Sequence, residues 1–125
     1  MKRFSTGLTN SFRAAWRGIM LAIRNERTFR VMLAAAFLVI ALVSTLPLAT
    51  AERLTLLLLT GFVLVLELLN TMVERLVDLL KPRLSAYVRD VKDLMAAAVL
   101  VAAGFALLTA VLVFAPHIRA LLSSL

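Results

Sequence analysis

Glu67, Asn70, Glu74 and Asp78 stand at i, i+3, i+7 and i+11 in a segment that is otherwise rich in leucine and valine. On a helix turning about 100° per residue they fall within roughly 80° of arc, so one face carries three carboxylates and an amide. Glu67 and Asn70 are flanked by Leu64, Val65, Leu66, Leu68 and Leu69. A carboxylate inside a membrane span costs roughly 2.5–3.5 kcal/mol on insertion scales, so such a residue reads as functional by default. Ordinary surface charge at a solvated helix end accounts for Asp78, and in part for Glu74. It does not account for Glu67 and Asn70.

Two further groups of charge belong to the same layer. Glu26 is followed one turn later by Arg30, and Lys92-Asp93 precedes a third apolar run. Taken alone, Glu26 and Arg30 are an i,i+4 pair worth a few tenths of a kcal/mol, and Lys92-Asp93 is a snorkelling pair at a helix start. Gathered on one side of a short membrane bundle, they favour a site. Magnesium takes oxygen ligands, usually one or two carboxylates, with phosphates and water completing its shell. Glu26 and Glu74 have that chemistry and depth. Glu67, set deeper, is placed to take a proton from a hydroxyl in the headgroup layer. A phosphate donor above and a lipid alcohol below would meet there.

The elements that must position these residues are helices in a bilayer. A span needs about 20 apolar residues. Three stretches qualify: 31–51 and 94–116, which contain no charge, and 54–73, which contains only Glu67. Pro47 lies near the end of the first, where a helix stops or bends cheaply. Residues 10–24 have helical periodicity, with Phe12, Trp16, Ile19 and Ile23 in one stripe and Arg13, Arg17 and Arg24 one residue on. That pattern is an interfacial amphipathic helix, apolar side in the acyl boundary and arginines near anionic headgroups. Ala98, Ala102, Ala106 and Ala110 form a stripe that lets helices approach closely. The expected fold is an all-α membrane protein in one domain over 1–125, with three transmembrane helices and the interfacial helix. Three spans are too few to wall off a nucleotide site, so an oligomer with sites between subunits is expected.

Composition supports this and closes other routes. Of 125 residues, 62% are hydrophobic and 17% charged, against about 45–50% and about 25% in soluble domains. The net charge of +7 is not a nucleic-acid footprint, because a DNA-binding domain would not be this apolar. There is no cysteine, His117 is the one histidine, and the four glycines form no phosphate-binding loop. Chemistry must rest on carboxylates, Lys, Arg, Asn and backbone.

The basic residues orient the chain. Lys2, Arg3, Arg13, Arg17, Arg24, Arg27 and Arg30 precede the first span, and Arg75, Lys81, Arg83, Arg89 and Lys92 lie between the second and third. These are twelve of fourteen, leaving Arg53 and Arg119, so the N-terminus is expected in the cytoplasm and the C-terminus outside. A signal peptide ending at Ala49-Thr50-Ala51 would need an apolar run of about 7–15 residues, and this one is too long.

Three segments carry a resemblance to a known family. Asn25-Glu26-Arg27-Thr28-Phe29-Arg30, the run Glu67-Leu68-Leu69-Asn70-Thr71-Met72-Val73-Glu74-Arg75-Leu76-Val77-Asp78, and Val91-Lys92-Asp93-Leu94-Met95-Ala96-Ala97-Ala98-Val99 resemble the small bacterial membrane-embedded diacylglycerol kinase and undecaprenol kinase family. Ala15-Trp16-Arg17-Gly18 does too, and the likeness covers roughly residues 10–115. It implies a homotrimer in the bacterial inner membrane that phosphorylates a lipid alcohol with ATP and Mg2+. It implies Glu67 as general base, Asn70 ordering the site, Glu26 and Glu74 holding metal-ATP, and Lys92, Asp93 and Arg30 binding the nucleotide.

The chain departs from the family pattern at Ala14, Met32, Met95-Ala96 and the loop Lys81–Ala86. Ala14 takes away aromatic help at the nucleotide and Met95-Ala96 reshapes the lipid pocket; the kinase assignment survives these changes, and the choice of lipid does not. Diacylglycerol is the first expectation, giving phosphatidic acid, with undecaprenol as the alternative. A proton-coupled transporter titrating at Glu67 is the rival from another class, but it would line both exits with polar residues. Only Glu52 and Arg53 stand in the outer loop. A structural adaptor leaves Glu67 and Asn70 unexplained.

Overall fold

The computed structural model describes the backbone of residues 2–80 and 86–124, and the side chains of residues 7–80 and 86–124. The basic loop residues Lys81 and Arg83, and the side chains of Lys2 and Arg3, lie outside the described residues. Four helices follow one another: α1 (Lys2–Asn25), α2 (Arg27–Thr45), α3 (Thr50–Leu80) and α4 (Ala86–Leu122), with no strand among the described residues. The last three are each long and apolar enough to cross a membrane. Helix α3 packs against both α2 and α4, and α1 meets α2 where the two adjoin.

The helix ends differ from the expected spans for local reasons. Helix α2 stops at Thr45 rather than near residue 51, because the residue before a proline is pushed out of the helical region. Leu46, preceding Pro47, is extended at φ −85°, ψ 146°. Helix α3 then starts at Thr50, four residues before the expected 54, and runs past 73 to Leu80. At about 1.5 Å per residue its 31 residues span roughly 46 Å, more than the ~30 Å hydrocarbon layer. Helix α4 passes through Pro116 and ends at Leu122. Helix α1 also starts well before residue 10.

The bundle core follows a repeat of three and four. Phe29, Ala36 and Val43 are the buried positions of α2, seven residues apart. On α3 the inward stripe reads Leu56, Thr60, Val63, Glu67, Asn70, Glu74 and Val77, steps of four and three. This is the seam of supercoiled helices, in which each inward residue seats between residues of a neighbour. At the Pro47 end the seam is apolar: Val43, Leu48, Leu56 and Phe114 cluster, with Leu42, Leu46 and Val113 packed around them. Toward the other end the same stripe turns polar.

Helix α1 presents two unlike faces. Phe12 and Trp16, leading the apolar stripe, are 75% and 65% exposed, as expected of side chains that meet lipid. The face turned to the bundle is a different one: Ala22 is buried, and Ala15, Gly18 and Ala22 line a groove against Leu68, Thr71 and Leu76 of α3.

Candidate functional site

The inward stripe of α3 carries the site residues without a break in its spacing. Glu67 takes a core position and is 3% exposed, and Thr71, one turn on, is also buried. Asn70 and Glu74 are half-buried on the same stripe, while Asp78 is exposed at the helix end. The Asn70 Oδ1 atom is buried and has no hydrogen-bond partner. An unmet buried acceptor costs about 1–3 kcal/mol, so packing alone does not explain it.

Glu26 enters from the break between α1 and α2. It is the single residue separating these helices, with extended backbone at φ −111°, ψ 113°. Its Oε1 lies 3.8 Å from Nη2 of Arg75 on α3. From α4, Lys92 brings Nζ to 3.5 Å from Oε1 of Glu74. Glu67 and Glu74 share the inward stripe of α3, and Glu26 reaches that helix through Arg75. Asp93, one residue beyond Lys92, is exposed. Arg30 is turned toward α1, where Nη1 donates to the carbonyl oxygens of Ile23 at 2.9 Å and Arg24 at 3.2 Å.

The structure therefore brings together Glu26, Glu67, Asn70, Glu74 and Lys92 of the residues named from sequence. It adds Arg75, which sequence reasoning counted only as a loop charge. Its partner is 49 positions away, beyond the reach of any helical periodicity. Arg75 also stands on the groove between α1 and α3, beside Met72 and Leu76. An exposed arginine at the rim of an apolar groove marks the depth at which hydrocarbon gives way to polar headgroups.

The donor set suits a hard divalent cation. Glu26 and Glu74 offer carboxylate oxygens at moderate exposure, and the orphan Asn70 Oδ1 is a third oxygen in the same layer. Among the described residues no three His, Cys, Asp or Glu side chains form a cage. Magnesium does not need one, since it keeps waters and substrate phosphates around one or two carboxylates. Two cations face these carboxylates, Arg75 at Glu26 and Lys92 at Glu74.

Chemically this is a buried carboxylate beneath a pair of more accessible ones, each with a basic neighbour, at the edge of a membrane bundle. A sequence-family model for prokaryotic diacylglycerol kinase matches residues 13–114, which contain every one of these side chains. The chain belongs to that family. Among curated members, an undecaprenol kinase of Bacillus subtilis is 36% identical over 108 residues, 86% of this chain and 88% of that protein. A diacylglycerol kinase of Synechocystis is 38% identical over 94 residues, 74% of this chain and 54% of that protein. Membership in the prokaryotic diacylglycerol kinase family makes this a membrane lipid kinase, and its three apolar helices are the membrane part of the fold.

Proposed function

We propose that the protein transfers the γ-phosphoryl group of ATP to the hydroxyl of a membrane lipid, with diacylglycerol as substrate and phosphatidic acid as product. The observation that carries this is Glu67, a carboxylate buried on the inward stripe of α3, two turns from the half-buried Glu74. In this reading the lipid hydroxyl gives its proton to Glu67 as its oxygen attacks the γ-phosphorus, and ADP leaves on the opposite side. Asn70 orders the reacting groups with its unpartnered oxygen, and Lys92 and Asp93 meet the nucleotide. Glu26 and Glu74 would hold Mg2+, which would supply charge neutralisation at the transferred phosphate. Positioning and charge neutralisation supply most of the rate in such transfers.

Undecaprenol is the second reading, and one observation favours it: the match to the Bacillus undecaprenol kinase spans more of both chains than the match to the diacylglycerol kinase. The active unit in this proposal is a homotrimer in the inner membrane, with sites between subunits. Its N-terminus is cytoplasmic and its C-terminus outside. The twelve basic residues on one side support that orientation.

Purified protein incubated with labelled ATP, Mg2+ and a panel of diacylglycerol, undecaprenol and ceramide tests the reading. Label in diacylglycerol is the expected result, and label in undecaprenol selects the second reading. Label in no lipid, with Glu67→Gln behaving like the parent, overturns both.

A further inference from the structure

The break between α1 and α2 is one residue long, and that residue is Glu26. A helix end leaves its last carbonyls without intrahelical donors. At the end of α1 the Glu26 N–H bonds the Ala22 carbonyl at 2.8 Å, which leaves the carbonyls of Ile23 and Arg24 next in line. Both are taken by one atom, Nη1 of Arg30, at 2.9 and 3.2 Å. The Arg30 backbone N–H meanwhile bonds the Glu26 carbonyl at 3.3 Å. Arg30 thus grips the chain on both sides of Glu26, with its backbone on the residue itself and its guanidinium on the turn before. A cation at a helix C-terminus is also favoured by the aligned peptide dipoles.

We infer that Arg30 is a positioning residue: it staples the last turn of α1 to the first turn of α2 and thereby sets the carboxylate of Glu26 against α3. The inference rests on the proposed function for its consequence, since Glu26 matters there as a metal ligand. The staple itself is independent of that reading. Without it, the extended peptide at Glu26 is a free hinge between an interfacial helix and a membrane span. The Glu26 carboxylate would then no longer be held near Arg75. This separates Arg30 from a nucleotide-contacting role, in which the guanidinium would face ATP.

The test uses the full chain in lipid, in which the absence of native cysteine allows a single spin label at Ser11→Cys on α1. The readouts are label mobility and Mn2+ binding without nucleotide, both by electron paramagnetic resonance, in Arg30→Gln and Arg30→Lys. Arg30→Gln is expected to free the label and to weaken Mn2+ binding about tenfold, as when the partner that orients a metal ligand is removed. Arg30→Lys, which keeps the charge and one donor, is expected to fall between and serves if the glutamine variant does not fold. An unchanged label overturns the staple. A freed label with unchanged Mn2+ binding, where Glu26→Gln does weaken it, overturns the effect on Glu26. A raised KM for ATP with both other readouts unchanged also overturns the inference, making Arg30 a nucleotide contact. If Glu26→Gln itself leaves Mn2+ binding unchanged, the metal assignment of Glu26 falls, and the staple is decided by the label alone.

Discussion

The two ends of the bundle use the same side chain for different ends. At the Pro47 end, Glu52 sits three residues after Ala49 and accepts its backbone N–H at 2.8 Å, closing the first turn of α3. Its Oε2 also lies 3.8 Å from Nε2 of His117 on α4, whose Nδ1 is 2.8 Å from the Val113 carbonyl oxygen. Arg53 reaches back to the Leu46 carbonyl at 3.3 Å. Each polar group there meets backbone or ties two elements, and the result is a turn that holds its shape. At the basic end, Glu67 fills a place that packing alone would give to an apolar residue, and Asn70 keeps an oxygen without a partner. At one end the polar groups named are partnered; at the other, the Asn70 oxygen is buried without a partner.

Substitutions can break or sharpen that contrast. The largest effect is expected at Glu67→Gln, which keeps the shape but removes the proton acceptor. Lipid phosphorylation should fall by about 10²–10⁴-fold, the usual contribution of a general base, with the elution profile in detergent unchanged. Near-parental turnover would end the base assignment. Next come Glu26→Ala and Glu74→Ala. The Mg2+ concentration for half-maximal rate should rise by about tenfold or more, since losing a ligand costs at least as much as losing its orienting partner. Superimposable Mg2+ titrations would remove these residues from the metal.

Asn70→Leu tests the contrast from the other side. It removes an unmet acceptor, so thermal stability should hold or improve, by up to about 1 kcal/mol, while turnover collapses. A large loss of stability would mean that the amide serves the fold. The smallest effect is expected at the opposite end, where Glu52→Ala should destabilise by roughly 1 kcal/mol, the order of a lost helix cap, and leave turnover per folded enzyme unchanged. A kinetic defect there would join the two ends and weaken the distinction.

Much of this was readable before the structure. Three apolar runs with one internal carboxylate give the spans, because a bilayer admits few other arrangements. The i, i+3, i+7 spacing gives one polar face of α3, because helical geometry is fixed. The ends were harder. Pro47 marks a stop for α2, but the start of α3 is set by a cap of its own, the Ala49 N–H donating to Glu52. Contacts between helices were not readable at all. Nothing in the order of residues pairs Arg75 with Glu26, or turns the small face of α1 inward when its aromatic stripe dominates the pattern.

The stripe on α3 joins two unlike environments on one helix face. Leu56 and Glu67 lie on one continuous seam, about 16 Å apart along a helix rising 1.5 Å per residue. Leu56, in its apolar cluster with Phe114, and the Glu67 carboxylate therefore look out from one face of a single helix.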